Sequence, residues 1–276
     1  MAVQADVSKH YTHGSLIDAI RAGLTSTGKL PDTATVDDLA PVDEFHIGGR
    51  RASEEFLNQL GFSAQMHVLD VGCGLGGAAR FVASRYGCRV TGIDLTDEYV
   101  ETGKVLCKWV GLDQRINLHG GSALAMPFPE RTFDGAYMLH VGMNIENKEK
   151  MACEVARVLR PGTSFGVYDV MRTGPGDLAY PVPWATTADL SAVAEPERYK
   201  EALQKAGFAI IAERNRRDFA LTFFAELRAK TSAAGGPPPL GLHVLMGKST
   251  PDKVQNMIDN ISKGRIAPVE LIVRKN

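Results

Sequence analysis

The sequence predicts an α/β fold: a seven-stranded, mostly parallel sheet with helices on both faces. Three observations carry this reading. From residue 66 onward, short apolar runs alternate with helical stretches, and that alternation builds a parallel sheet through right-handed crossovers. The first apolar run leads into a glycine cluster, LDVGCGLGGAARF (69–81), where a strand would turn into its crossover helix. After a long insertion the chain closes on another apolar run, IAPVELIVRK (266–275), which suits a sheet closed by an antiparallel hairpin. The 276 residues are enough for one large domain with its own core.

Residues 1–62 read as an N-terminal helical cover. SLIDAIRAGL (15–24) carries Leu16, Ile17, Ile20 and Leu24 as a helical stripe. TATVDDLAPVDEFHIGG (33–49), with Pro41 and a glycine pair, reads as loop, and RRASEEFLNQLGF (50–62) as a helix ending at Gly61. The core spans 63–216. Its strands are MHVLDV (66–71), CRVTGID (88–94), RINLHGG (115–121), TFDGAYMLH (132–140), the later part of RPGTSFGVYDV (160–170) and AIIAERNR (209–216). Between them lie helices at 77–87, stopped by Gly87, and at 96–112, with Thr96 as N-cap. Two more lie at 147–159, with Met151, Val155 and Val158 on one face, and at 196–208.

The insertion, residues 217–265, is too long for a structureless loop in a compact domain. FALTFFAELRAKTS and PDKVQNMIDNISKG read as helices flanking the breaker tract AAGGPPPLG (233–241). Connections of this kind commonly serve as lids or binding elements. The insertion therefore reads as a helical lid, before a final strand at 266–276 that completes the core.

The charge balance, 31 basic against 32 acidic residues, leaves no electrostatic footprint for nucleic acid or an anionic membrane. Cys73, Cys88, Cys107 and Cys153 form no C-x-x-C pair, so they read as reduced thiols. The polar start lacks the apolar stretch of a signal peptide, and no run approaches membrane-spanning length. A cytoplasmic location is the expectation; the oligomeric state stays open.

The glycine cluster fits two templates. Gly72, Gly74 and Gly77 form G-x-G-x-x-G, a dinucleotide fingerprint. Asp70, Gly72, Gly74 and Gly76 form D-x-G-x-G-x-G, a pattern of S-adenosylmethionine-binding enzymes. Both place ligand against backbone N–H groups that only glycines leave accessible, and both use an acid closing the second strand, here Asp94, for ribose hydroxyls. Asp70 discriminates, since a carboxylate repels pyrophosphate and attracts an ammonium or sulfonium. The downstream pieces MPF (126–128), FDGAYMLH (133–140) and VLRPG (158–162) also follow at the distances of the second template.

On these motifs residues 45–215 resemble the Rossmann-like class I S-adenosylmethionine-dependent methyltransferases. GLGGAARF (74–81) and FHIGG (45–49) are similar to segments of the group containing sarcosine/dimethylglycine N-methyltransferases and tocopherol methyltransferases. The resemblance implies S-adenosylmethionine as methyl donor and a small-molecule acceptor with an amine nitrogen; no His/Asp/Glu cluster has metal-ligand spacing, so no metal is expected. Carbon or oxygen on a phenolic or quinone-like ring, or a thiol, stays open. So do two other classes, a nicotinamide-dependent oxidoreductase and a non-catalytic cofactor-binding module. The implied cofactor residues are Asp70, Gly72, Gly74, Gly76, Asp94 and Leu95, with Ser122 and Ala123 where the family often has an acid for the adenine. His140 borders the same site, and His46, Gly48 and Gly49 border its methionine end. Strand four runs into LHVGMN rather than an Asn/Asp-Pro-Pro-aromatic signature, which points away from amide or base nitrogens as acceptor.

Methyl transfer needs alignment, exclusion of water, and a base only where the acceptor carries a proton. His140, ending strand four, reads as that base or as a brace for the cofactor. The resemblance also implies a tyrosine from the N-terminal cover that reaches the reacting methyl, a part open to Tyr11, between His10 and His13, whose other reading is a surface packing group. His243 offers a further entry from the insertion. Arg50, Arg51, Arg80 and Arg172 are candidate carboxylate clamps for an amino-acid acceptor. Met138, Met143, Met171, Trp184, Leu242 and Met246 are candidate walls of an apolar acceptor pocket or plain core.

Overall fold

The computed structural model describes residues 16–276. Three helices precede the sheet: α1 (Leu16–Ser26), α2 (Val36–Asp43) and α3 (Gly49–Leu57). The alternating part runs β1 (His67–Val71), α4 (Gly77–Tyr86), β2 (Arg89–Asp94), α5 (Asp97–Trp109), β3 (Ile116–Gly120) and β4 (Gly135–Leu139). It continues with α6 (Lys148–Val158), β5 (Ser164–Arg172), α7 (Pro196–Lys205) and β6 (Phe208–Asn215). The insertion carries α8 (Arg217–Ala233), the single turn α9 (His243–Met246) and α10 (Thr250–Ser262), and the chain ends in β7 (Ile266–Lys275).

The seven strands lie in the order β3-β2-β1-β4-β5-β7-β6. β1 pairs in parallel with β2 and β4, and β7 runs antiparallel to both β5 and β6. Side-chain alternation drives the layering. Ala136 and Met138 of β4 enter the core under α6 and α7, while Tyr137 faces the opposite core under α3 and α4. Leu69 and Val71 against Val68, and Phe165 and Val167 against Tyr168, repeat the division on β1 and β5. Each central strand is thus apolar on both faces, as a sheet covered by helices requires.

The reading of 33–49 as loop is corrected by α2. Thr35 and Asp38 form a reciprocal capping box, the Thr35 side chain accepting from Asp38 N and the Asp38 carboxylate accepting from Thr35 N. Pro41 stands inside this short helix without breaking it, because Leu39 and Val42 are buried against α1 and α5. Thr96 does precede α5, but its side chain makes no capping bond; the Asp94 carboxylate instead accepts from Thr96 N at 2.9 Å. The root of the insertion is tied down. Arg217 donates to the carbonyls of Ile261 and Ser262 at 3.0 and 2.8 Å, joining the start of α8 to the end of α10.

Candidate functional site

A cavity of about 580 Å³ opens along the carboxyl ends of β1, β2 and β4, a volume typical of small-molecule sites. Its first half is built from the glycine loop. Gly72 takes φ +75°, and a Cβ there would stand 2.4 Å from Val141, so neither backbone nor packing admits another residue. A Cβ on Gly77 would meet Asp43 at 2.5 Å, which lets the end of α2 close on the loop.

Four of the loop's amides are spent inward rather than offered to a ligand. Gly72 N and Cys73 N donate to Ile93 O at 2.8 and 3.0 Å, and Gly76 N donates to Cys73 O at 2.8 Å. Gly74 N donates to the Asp94 carboxylate at 2.8 Å. This corrects the expectation of outward N–H groups at these four positions. The buried Oδ2 of Asp70 has no hydrogen-bond partner within 3.5 Å among the described residues, and Asp70 lies in the cavity wall. Burial pushes its pKa up to about 7, with Tyr137 pulling it back and Asp94 adding to the rise. Burial also raises Asp94, against the backbone N–H groups of Thr96 and Gly74. Each Asp94 oxygen still has accepting capacity beyond its one backbone bond.

Leu95, Ser122 and Ala123 line the cavity beside Asp94, together with Thr96 and Tyr99, which the sequence reading did not select. Ser122 Oγ accepts from Leu124 N at 3.1 Å. Gly76, Gly48 and Gly49 are not in the wall. Gly76 caps α4 at φ +75°, and Gly48 and Gly49 carry the turn into α3, where a Cβ on Gly48 would strike Phe219 at 2.4 Å. Their neighbours Phe45, His46 and Ile47 line the cavity instead.

His140 stands just past β4 with φ +53°, a backbone conformation that costs of order 1–3 kcal/mol in a non-glycine residue and clusters at functional sites. Its amide donates to Tyr168 O at 2.7 Å, and its ring packs against His46 and Tyr168. Its buried Nε2 has no partner among the described residues. Burial holds the imidazole well below its usual 6.5, and His46 pushes the same way, so the ring is neutral near pH 7. His46 is itself fixed behind it, with Nε2 at 3.1 Å from Ser53 Oγ and 3.2 Å from Gly49 O.

Much of the remaining wall is apolar: Met143, Trp184, Phe224 and Met257 from one cluster, with Leu242 and Met246 from the insertion. Four of the expected apolar lining residues are among these. Met138 and Met171 are not; both point into the closed core beneath the sheet. His243 stays out of the wall while its neighbours Leu242, Leu245 and Met246 enter it. Asn144 also lines the cavity, its buried Oδ1 unpartnered among the described residues. Its turn is held by Lys148, whose ammonium is fully buried and donates to the carbonyls of Gly142, Ile145 and Ala192.

None of the four candidate arginines lines the cavity. Arg80 is fully buried, donates through Nε and Nη2 to Asp43, and gives Nη1 to Leu75 O at 2.7 Å. Arg50 pairs with Glu44 at 3.1 Å and lies over Phe81, and Arg51 pairs with Glu226 and lies over Phe219. Arg172 donates to Gly176 O. Each serves the chain itself. Tyr11, His10 and His13 fall outside the described residues. Among the described residues no group of three or more His, Cys, Asp or Glu is arranged to hold a metal ion, and no helix is long and apolar enough to cross a membrane.

Residues 68–162, from β1 to the turn before β5, match the family described as a methyltransferase domain. The chain is an S-adenosylmethionine-dependent methyltransferase of the class I fold. Over 208 residues it is 27% identical to an O-methyltransferase of Pyrenophora dematioidea, covering 75% of this chain and 76% of that relative. It is 31% identical to the sterol 24-C-methyltransferase of Eremothecium gossypii over 182 residues, 64% of this chain but only 49% of the longer relative. The structure of a putative sarcosine dimethylglycine methyltransferase from Galdieria sulphuraria superposes with a TM-score of 0.66 at 18% identity, over 83% of this chain and 85% of that one, and so shares the fold. The oxidoreductase and the non-catalytic readings fall away for this methyltransferase.

Proposed function

We propose that this methyltransferase passes a methyl group from S-adenosylmethionine to a small, largely apolar molecule. The observation that carries the reading is one continuous cavity whose wall runs from Asp70, Gly74 and Asp94 to Trp184, Phe224 and Met257. The residues present fit the donor. The buried Asp70 carboxyl, whose Oδ2 is unpartnered among the described residues, suits a cationic group, Asp94 can accept from ribose hydroxyls, and Leu95, Ser122 and Ala123 can border the adenine. His46 and Ile47 take the place first given to Gly48 and Gly49. When bound, S-adenosylmethionine supplies an electrophilic methyl on a sulfonium whose leaving group is neutral.

The chain's part is to align the acceptor, exclude water and take up a proton where the acceptor has one. Alignment alone contributes about 7–11 kcal/mol in favourable cases. His140 is the group at the junction of the two halves, neutral and with Nε2 unengaged among the described residues. Residues 217–265 act as the lid and 16–62 as the cover, over a core of 63–216 completed by 266–276. Calorimetry with S-adenosylmethionine and S-adenosylhomocysteine tests the reading. Uptake by the wild type that is lost in Asp94→Ala supports it; a folded wild type that takes up neither refutes it.

A further inference from the structure

Resting on the methyl-transfer reading above, we infer that the acceptor is an uncharged, largely apolar molecule with two hydrogen-bond donors, one facing His140 Nε2 and one facing Asn144 Oδ1, and that the donor facing His140 is a hydroxyl whose oxygen is methylated. The first support is the pair of orphaned atoms. His140 Nε2 and Asn144 Oδ1 are both buried, both without a partner among the described residues, and both in the wall of one cavity. A buried polar atom left unpaired costs about 1–3 kcal/mol, so two of them four residues apart mark where a ligand's donors go.

The second support is what surrounds them. Met143, Trp184, Phe224 and Met257 give the acceptor half an apolar lining. Among the described residues no arginine lines the cavity, and its one lysine, Lys150, is exposed. A carboxylate or diphosphate on the acceptor would meet no buried basic side chain in this chamber among the described residues, so the chain itself does little to offset its desolvation. The arginines that could have met it are engaged with Asp43, Glu44, Glu226 and Gly176.

A protonated amine would have to surrender its proton before reacting, since it has no lone pair with which to attack the methyl, and its charge would be desolvated against the apolar lining. A hydroxyl makes no such demand, because its proton leaves as the oxygen gains the methyl. In that step the oxygen–methyl bond forms and the methyl–sulfur bond breaks with its electron pair staying on sulfur. The hydroxyl proton passes to Nε2, so the resting ring carries its proton on Nδ1.

Naphthalene probes on protein saturated with S-adenosylhomocysteine test this by calorimetry: 2,3-dihydroxynaphthalene, 2-naphthol, 2-methoxynaphthalene, 2-naphthoate and, as the amine, sarcosine. The expected order is diol over naphthol over methoxy ether, with no uptake of naphthoate or sarcosine. Asn144→Ala is expected to weaken the diol about 2- to 13-fold, one hydrogen bond's worth, while 2-naphthol and S-adenosylhomocysteine bind as before. His140→Asn, which tolerates positive φ, is expected to weaken the diol by a similar 2- to 13-fold and to lower its methylation by about 10²–10⁴-fold. Uptake of sarcosine or naphthoate to match the diol, equal losses for diol and naphthol in Asn144→Ala, or no uptake of either naphthol overturns the inference. Failure to take up S-adenosylhomocysteine would instead overturn the methyl-transfer reading beneath it.

Discussion

Replacing Arg80 by Met should uncouple α2 from the cofactor loop. Arg80 and Asp43 are both buried, and two guanidinium nitrogens face the two carboxylate oxygens. A third nitrogen holds the carbonyl of Leu75 inside the glycine loop. Burial raises the Asp43 carboxyl above its usual 3.8 even with Arg80 beside it. Burial also opposes the charge on Arg80, yet Asp43 carries that group above the ordinary guanidinium value. Removing one partner of such a pair costs about 3–5 kcal/mol, because the other charge stays buried alone. That is a large part of the roughly 5–15 kcal/mol that holds a domain together. The deficit should depend on pH. In the variant the folded Asp43 has a pKa above its unfolded value, so the folded state binds a proton that the unfolded state has lost. The deficit is therefore full well above that folded pKa and shrinks as pH falls towards 4. Urea unfolding at pH 8 and pH 5 measures it, with Asp43→Leu/Arg80→Met as the companion, since an apolar pair restores most of what one orphaned charge takes away. A loss under about 1 kcal/mol at pH 8, or a double variant no more stable than Arg80→Met, refutes the reasoning.

Three further outcomes are expected. With its pKa near 7 in the free protein, Asp70 is mostly protonated below that pH and must ionise to meet a cation. Affinity for S-adenosylmethionine should then fall between pH 8 and pH 5, approaching about tenfold per unit well below 7, and the slope should vanish in Asp70→Asn; a flat wild-type profile contradicts this. Gly72→Ala sets a Cβ 2.4 Å from Val141 at a positive φ and should abolish S-adenosylhomocysteine uptake, with Val141→Ala restoring part of it; unchanged uptake in the single variant counts against the packing account. Lys148→Met takes the donor from three carbonyls of the turn and strap that carry Met143 and Asn144, and should raise the acceptor KM while S-adenosylhomocysteine affinity holds. A fall in both together would show that Lys148 supports the whole fold rather than the acceptor wall.

Much of the frame was legible because its causes are local. Alternation of short apolar runs with helical stripes placed all seven strands, and glycines at 72, 74 and 76 marked a loop that in the structure takes positive φ at each. Asp70, Asp94 and His140 were selectable because a residue closing a parallel strand lies at the ligand edge whatever the loops do. α2 was missed because Pro41 and the glycine pair outweighed the Thr35–Asp38 capping box in a segment too short for periodicity to show. Asn144 stood in the quoted LHVGMN without a signal, since nothing in that string says which of its polar atoms ends up unpaired.

The sequence by itself determined the order of elements, the two-faced apolar strands and the acid-and-glycine edge, all of them consequences of backbone period and residue type within a few positions. Only the tertiary structure decided the contents of the acceptor half and the fate of the arginines. Arg80 resembles a ligand clamp until Asp43, 37 residues earlier in the chain, is folded against it. Trp184, Phe224 and Met257 form one wall only because the strap after β5 and the roots of α8 and α10 meet over the sheet. Side chains choose between ligand, solvent and one another by what is near in space, and contacts across tens of residues leave no period in the sequence to be read.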